Sequence, residues 1–229
     1  MNEDPPRIPK VIVFDVNETL SDLSPLAGRF ADIGAPTQLA ATWFASVLRD
    51  GFALTAAGAT ARFADLGAAV LATMLHGVSL NRSLDDATRH VLGGFTELSV
   101  HPDVVDGVRA LAAKGQRLTT LSNGAASVAE GLLERAGIAD VFERLLSVED
   151  AGVWKPAADA YRYAAQQLDV HPTQMMLVAV HPWDVDGAQR AGLQGAWVNR
   201  DGGPYPSIFT APDFTVDSLT ELAERISPA

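Results

Sequence analysis

The chain has 229 residues, no cysteine, and 28 acidic against 17 basic side chains, a formal charge of −11. Without cysteine there are no disulfides, thiolate metal sites or cysteine nucleophiles, and the acidic excess argues against nucleic acid or an anionic membrane as a standing partner. The length allows one large domain or two modest ones, with ample material for a core.

The opening segment, Met1 to Lys10, is polar and proline-bearing, so no signal peptide is expected; no apolar run approaches a membrane span, and the expected location is cytoplasmic. Then Val11-Ile12-Val13-Phe14 runs straight into Asp15, with Asn17, Glu18 and Thr19 behind it. A short apolar run without alternation reads as a strand buried on both faces of a parallel sheet. Ligands bind beyond the carboxyl ends of such strands, where Asp15 stands; a turn-capping aspartate is the alternative this stretch leaves open. From about Pro25 to Leu98 the period is helical, with Leu39, Trp43 and Val47 on one face and Phe63, Leu66, Val70 and Met74 on another. This segment predicts an insertion of about four helices.

From His101 strands and helices alternate. A helix carrying Val104, Val108 and Leu111 precedes a strand, Arg117 to Ser122, and a helix around Leu132 and Leu133 stops near Gly137. A short strand at Leu145 to Val148 leads to Trp154-Lys155-Pro156, then a helix carrying Ala160, Tyr161 and Ala164. The strand Met175 to Val180 ends in His181-Pro182-Trp183-Asp184, a helix runs to Gly192, and strands at Ala196–Val198 and Phe214–Val216 precede a terminal helix from Ser218. The expected fold class is α/β, a Rossmann-like parallel sheet core (1–20 and 99–229) with an inserted α-helical cap (21–98).

Strand ends in a parallel sheet converge on one edge, which gathers Asp15, Ser122-Asn123, Lys155 and His181/Asp184. A carboxylate, a hydroxyl–amide pair, a lysine and a second carboxylate are the ingredients of nucleophilic catalysis beside an anion site. Singly, Ser122-Asn123 reads equally as a helix cap, Lys155 as a surface group and Asp184 as an N-cap.

In order and spacing, Asp15-x-x-x-Thr19, Ser122-Asn123, Lys155-Pro156 and Trp183-Asp184 resemble the four motifs of the haloacid dehalogenase superfamily over nearly the whole chain. Most of that superfamily are magnesium phosphatases, with an acid two residues past the nucleophile and another early in the fourth motif. Here those positions hold Asn17 and Val180, and Val180 cannot bind a hard cation. The local text is closer to the type II 2-haloacid dehalogenases, which implies hydrolysis of short L-2-haloacids with no metal and no cofactor. The resemblance makes Asp15 the nucleophile at C2 of the substrate, Lys155 its ionising partner, Thr19 its orienting group and Asp184 a supporting acid. It assigns Ser122 to the substrate carboxylate, Asn123 and Trp183 to the halide, and Tyr161, Asn17 and Phe44 to the substrate-binding positions. A homodimer is consistent with the resemblance.

Departures are visible. The cap arginine usual after the tryptophan is Phe44, the aromatic two residues past the nucleophile is Asn17, and Ala179 and His181 replace a serine and an asparagine. His181 ends the strand expected beside Asp15, and Glu18 lies on the same rim; a His–Glu pair is a sensible general base for water. The His-Pro pairs at 101 and 171 read as ordinary helix entries. A Mg²⁺-dependent phosphatase or phosphonatase, and a non-catalytic binder of small carboxylates, are the alternative functions.

Overall fold

The structure, a computed structural model, describes residues 8–228, so most of the polar opening segment and the expectation attached to it lie outside the described residues. Strand β1 (Val11–Phe14) is buried along its whole length. It pairs in parallel with β2 (Arg117–Ser122) on one side and β4 (Met175–Ala179) on the other. With β3 (Phe142–Ser147), β5 (Gln194–Val198) and β6 (Phe214–Val216), the parallel sheet has the order β3-β2-β1-β4-β5-β6. The order reverses between β1 and β4, and the crevice at such a switch point is where open α/β sheets bind ligands.

Side chains alternate across the strands. Ile12 and Phe14 pack with α5 (Val104–Ala113), α6 (Ala126–Arg135) and α10 (Leu219–Arg225). Val11 and Val13 face the opposite cluster, which holds α8 (Ala158–Gln167) and α9 (Pro182–Arg190). Both faces are thus covered, which is why the strands carry continuous apolar runs.

Between β1 and β2 the chain inserts α1 (Leu26–Asp32), α2 (Leu39–Ala56), α3 (Phe63–Met74) and α4 (Leu84–Thr96) ahead of α5. Their apolar faces join the Val11/Val13 cluster. Trp154 is the main peg: its indole donates to Ala61 O (2.9 Å) and stacks on Phe63 at 6.1 Å. A Cβ at Gly51 would lie 2.4 Å from the Trp154 ring, so α2 approaches this closely only because residue 51 lacks a side chain. The insertion is therefore docked one residue from Lys155.

One strand boundary differs from the sequence reading. β3 begins at Phe142, and Val148 opens the one-turn helix α7 (Val148–Ala151), whose Glu149 N–H is accepted by the Ser147 hydroxyl. β3 is an edge strand, so Glu143 and Arg144 are exposed and mask its beginning. No helix among the described residues is long and apolar enough to cross a membrane.

Candidate active site

Asp15 is the first residue past β1, and its N–H donates to Val178 O of β4 (3.0 Å), which fixes it at the switch point. Its carboxylate is buried. On one side Lys155 Nζ, wholly buried, donates to Asp15 Oδ1 (2.8 Å) and to Asp184 Oδ2 (2.6 Å). Asn123 brackets the lysine backbone: Oδ1 accepts Lys155 N–H (3.0 Å) and Nδ2 donates to Lys155 O (3.3 Å). Tyr161 Oη donates to Asp184 Oδ1 (2.5 Å), and Gly187 leaves the room, since a Cβ there would meet that hydroxyl at 2.8 Å. Buried charges survive only when their partners are complete, and here each oxygen of Asp184 has a donor.

Burial alone would raise the Asp15 carboxyl, but the Lys155 ammonium and the bonds from His181 outweigh it and hold the group well below the usual carboxylate range. Burial would also lower Lys155, and the charges of Asp15 and Asp184 push it up instead. Asp184, deepest in the pair, is pushed upward by burial and by the Asp15 charge, against the pull of Lys155 and Tyr161. Two carboxylates sharing one lysine are thus pushed in opposite directions, Asp15 downward and Asp184 upward.

The other side is built by the turn after β1 and the start of α9. Val16 O accepts from Leu20 N and Ser21 N, both at 2.9 Å, closing the turn. Inside it Glu18 adopts φ +62°, the left-handed region, which costs a non-glycine residue roughly 1–2 kcal/mol. The Thr19 hydroxyl donates to Asp15 Oδ2 (2.7 Å) and accepts Val180 N–H (3.1 Å). His181 lies between two acids, Nδ1 3.2 Å from Asp15 Oδ2 and Nε2 2.8 Å from Glu18 Oε2. Burial works against protonation, yet the bonds to Asp15 and Glu18 raise the imidazole from 6.5 to about 9, so at neutral pH it is a cation. Trp183 stacks on its ring at 5.0 Å, and Phe44 of α2 lies 6.4 Å away. Glu18 and His181 border a cleft of about 720 Å³ together with His101, Asn199 and Arg200.

The structure brings Asp15, Thr19, Lys155, Asp184, His181 and Glu18 into one hydrogen-bonded chain. Ser122 Oγ accepts Gly124 N–H (2.9 Å), which leaves its own hydroxyl hydrogen available, and the Asn17 amide lies across from it over Gly124. Tyr161 departs from the sequence reading, while Asn123 keeps one N–H for the role it was given there. Tyr161 sits on the buried face of α8 with Ala160 and Ala164, where its hydroxyl serves Asp184; Asn123 spends its oxygen and one N–H on the Lys155 backbone. His101 stands at the entry to α5, its carbonyl accepting Val104 N–H (3.1 Å), and in addition its Nε2 lies 2.9 Å from Glu18 O. His171 does cap a helical turn, its Nδ1 accepting Thr173 N–H. Sequence reasoning missed Arg200, whose guanidinium donates to Thr19 O (3.0 Å) and Asp103 Oδ1 (2.7 Å). Its signal was weak: a lone arginine after β5.

The sequence matches the haloacid dehalogenase-like hydrolase family over residues 9–192. The chain belongs to that family, in keeping with a buried aspartate at the switch point of a parallel α/β sheet. It is 30% identical over 219 residues to (S)-2-haloacid dehalogenase 1 of Pseudomonas sp. (strain CBS-3), covering 95% of this chain and 96% of that one. A solved dehalogenase structure with an intermediate complex superimposes with a TM-score of 0.88 at 26% identity, over 96% of this chain and 98% of that one. The L-2-haloacid dehalogenase of Xanthobacter autotrophicus with chloropropionic acid covalently bound gives 0.82 at 25% identity, over 95% and 98%.

Proposed function

We propose that the protein hydrolyses short L-2-haloalkanoic acids to 2-hydroxy acids through an aspartyl ester on Asp15, without a metal ion. The observation that carries this reading is a buried carboxylate kept ionised between Lys155 and His181. The relatives' names and the covalent chloropropionate complex support it.

The helical insertion serves as a cap over the strand ends. The substrate carboxylate binds the free Ser122 hydroxyl hydrogen and the Asn17 amide, with Lys155 offsetting its charge. Asp15 attacks C2 through Oδ1, which carries one donor where Oδ2 carries two. The C2–halogen bond breaks, halide leaves with the electron pair, and C2 inverts. The remaining Asn123 N–H and the Trp183 edge receive the halide, and Phe44 lines the substrate side of the cap. Tyr161 positions Asp184 rather than touching substrate.

Water then attacks the ester carbonyl carbon, the bond from that carbon to the ester oxygen breaks, and the 2-hydroxy acid leaves carrying the former Asp15 Oδ1. Esterification removes the Asp15 charge, one of the two that hold His181 protonated, so its Nδ1 proton becomes labile and leaves through the adjoining cleft. Glu18 keeps the proton on Nε2 and thereby fixes the tautomer. Neutral Nδ1, facing Asp15, deprotonates the water. Asp184 is a poorer base because both its oxygens are occupied by Lys155 and Tyr161.

The metal-free reading rests on the donor set. Asn17 and Val180 supply no carboxylate where a divalent cation would need one, and among the described residues no group of three His, Cys, Asp or Glu side chains could hold an ion. Halide release from each enantiomer of 2-chloropropionate, with and without EDTA, tests the proposal. Release from the L-enantiomer, unchanged by EDTA, is expected. Binding without halide release, or a Mg²⁺-dependent hydrolysis of p-nitrophenyl phosphate in its place, overturns it.

A further inference from the structure

The two segments that carry the chain into and out of the helical insertion are stitched together beside the dyad. Ser21 and Val100 form an antiparallel bridge, Asp22 N–H donates to Ser99 O, and His101 N–H donates to Leu20 O, each of these bonds 2.9 Å long. This pairing brings the His101 ring to the carbonyl of Glu18, 83 residues earlier in the chain, with Nε2 2.9 Å from the oxygen. A carbonyl oxygen can only accept, so Nε2 carries the hydrogen and donates. The peptide it grips belongs to the one residue of the turn with a left-handed backbone, φ +62°. One residue on, Arg200 holds Thr19 O, and Arg200 is itself anchored on Asp103, whose other oxygen accepts Leu219 N–H. A strained backbone persists only where its surroundings over-determine it, and these two donors grip the carbonyls of Glu18 and its neighbour.

We infer that His101 is a positioning residue for ester hydrolysis: its hydrogen bond to the Glu18 carbonyl holds the left-handed turn that aims the Glu18 carboxylate at His181. It acts on the second half-reaction and not the first, because Glu18 contacts only the His181 side of the nucleophile, while Lys155 is held separately by Asn123. The inference rests on the His181–Glu18 dyad proposed above.

Single-turnover measurements on the full chain test it, recording the halide burst and the decay of the covalent adduct by intact-protein mass. His101→Leu removes the donor; His101→Gln places an amide N–H at a similar reach. In His101→Leu the burst is expected to stay near one equivalent at an almost unchanged rate, while adduct decay slows about 10-fold, less than the roughly 10²–10⁴-fold of losing the general base itself. His101→Gln is expected to recover most of that loss. In a Glu18→Gln background, His101→Leu is expected to add little, since contacts in one network are not additive. Equal slowing of burst and decay, failure of His101→Gln to rescue, or an undiminished further loss in the Glu18→Gln background overturns the positioning role. If Glu18→Gln alone leaves adduct decay untouched, it is the dyad itself that is wrong. Should His101→Leu fold poorly, His101→Asn, whose shorter amide falls short of the Glu18 carbonyl, is expected to slow adduct decay in its place, and its double variant with Glu18→Gln reads the same coupling.

Discussion

Asp15 meets Lys155 on one side and His181 on the other, and the two cations are set in different surroundings. Lys155 is sealed from solvent, bonded to two carboxylates, and bracketed through its backbone by Asn123. His181 borders a wide cleft, and its far partner, Glu18, is nearly half exposed, with 44% of its side chain accessible. Lys155, raised by two buried acids, still has Asp184 beside it once Asp15 is esterified in the proposed reaction, so it serves to hold charge. A histidine raised to about 9 by two acids, one of which is consumed as a charge when the ester forms, can give its proton up. In the proposed reaction, ester formation belongs to the first side and ester breakdown to the second.

The largest expected effect comes from removing the group both sides share. Asp15→Asn keeps the fold but abolishes halide release, because an amide is a poor nucleophile; freshly purified protein, checked by mass for deamidation, is the control. Lys155→Met breaks the sealed side. It leaves two buried carboxylates without their cation, so halide release is lost at the first step and unfolding in urea shows a destabilisation of about 3–5 kcal/mol. Glu18→Gln loosens only the open side: ester decay slows about 10-fold while the burst persists. The smallest effect is on stability against pH. His181 has a raised pKa in the folded state, so its stabilisation is full below 6.5 and disappears as pH rises through about 9. Relative to His181→Asn, the wild type should lose on the order of 2–3 kcal/mol between about pH 6 and pH 10. A constant difference across that range would show that the imidazole is not held as a cation.

The sealed side was largely legible in the sequence, because each of its groups follows a strand end and parallel strands bring their ends to one edge. Asp15, Ser122, Lys155 and Asp184 needed only the alternation of strands and helices. The orientation of Tyr161 was not legible: motif spacing places it near the site, but the rotation of α8 turns its hydroxyl to Asp184. The open side depends on contacts that no local pattern encodes. That His181 touches Asp15 follows from β4 lying next to β1, but the left-handed turn at Glu18 carries no glycine to announce it. His101 reaches that turn only through pairing across the whole insertion.

The division of labour is tested most directly by intact-protein mass spectrometry of His181→Ala mixed with L-2-chloropropionate. General-base catalysis contributes about 10²–10⁴-fold, and the account assigns its loss to one step. The expected result is about one equivalent of chloride released, followed by a stall with the acid esterified to Asp15. Normal turnover by this variant, or failure before any adduct forms, would contradict the account and make Asp184 the better candidate base.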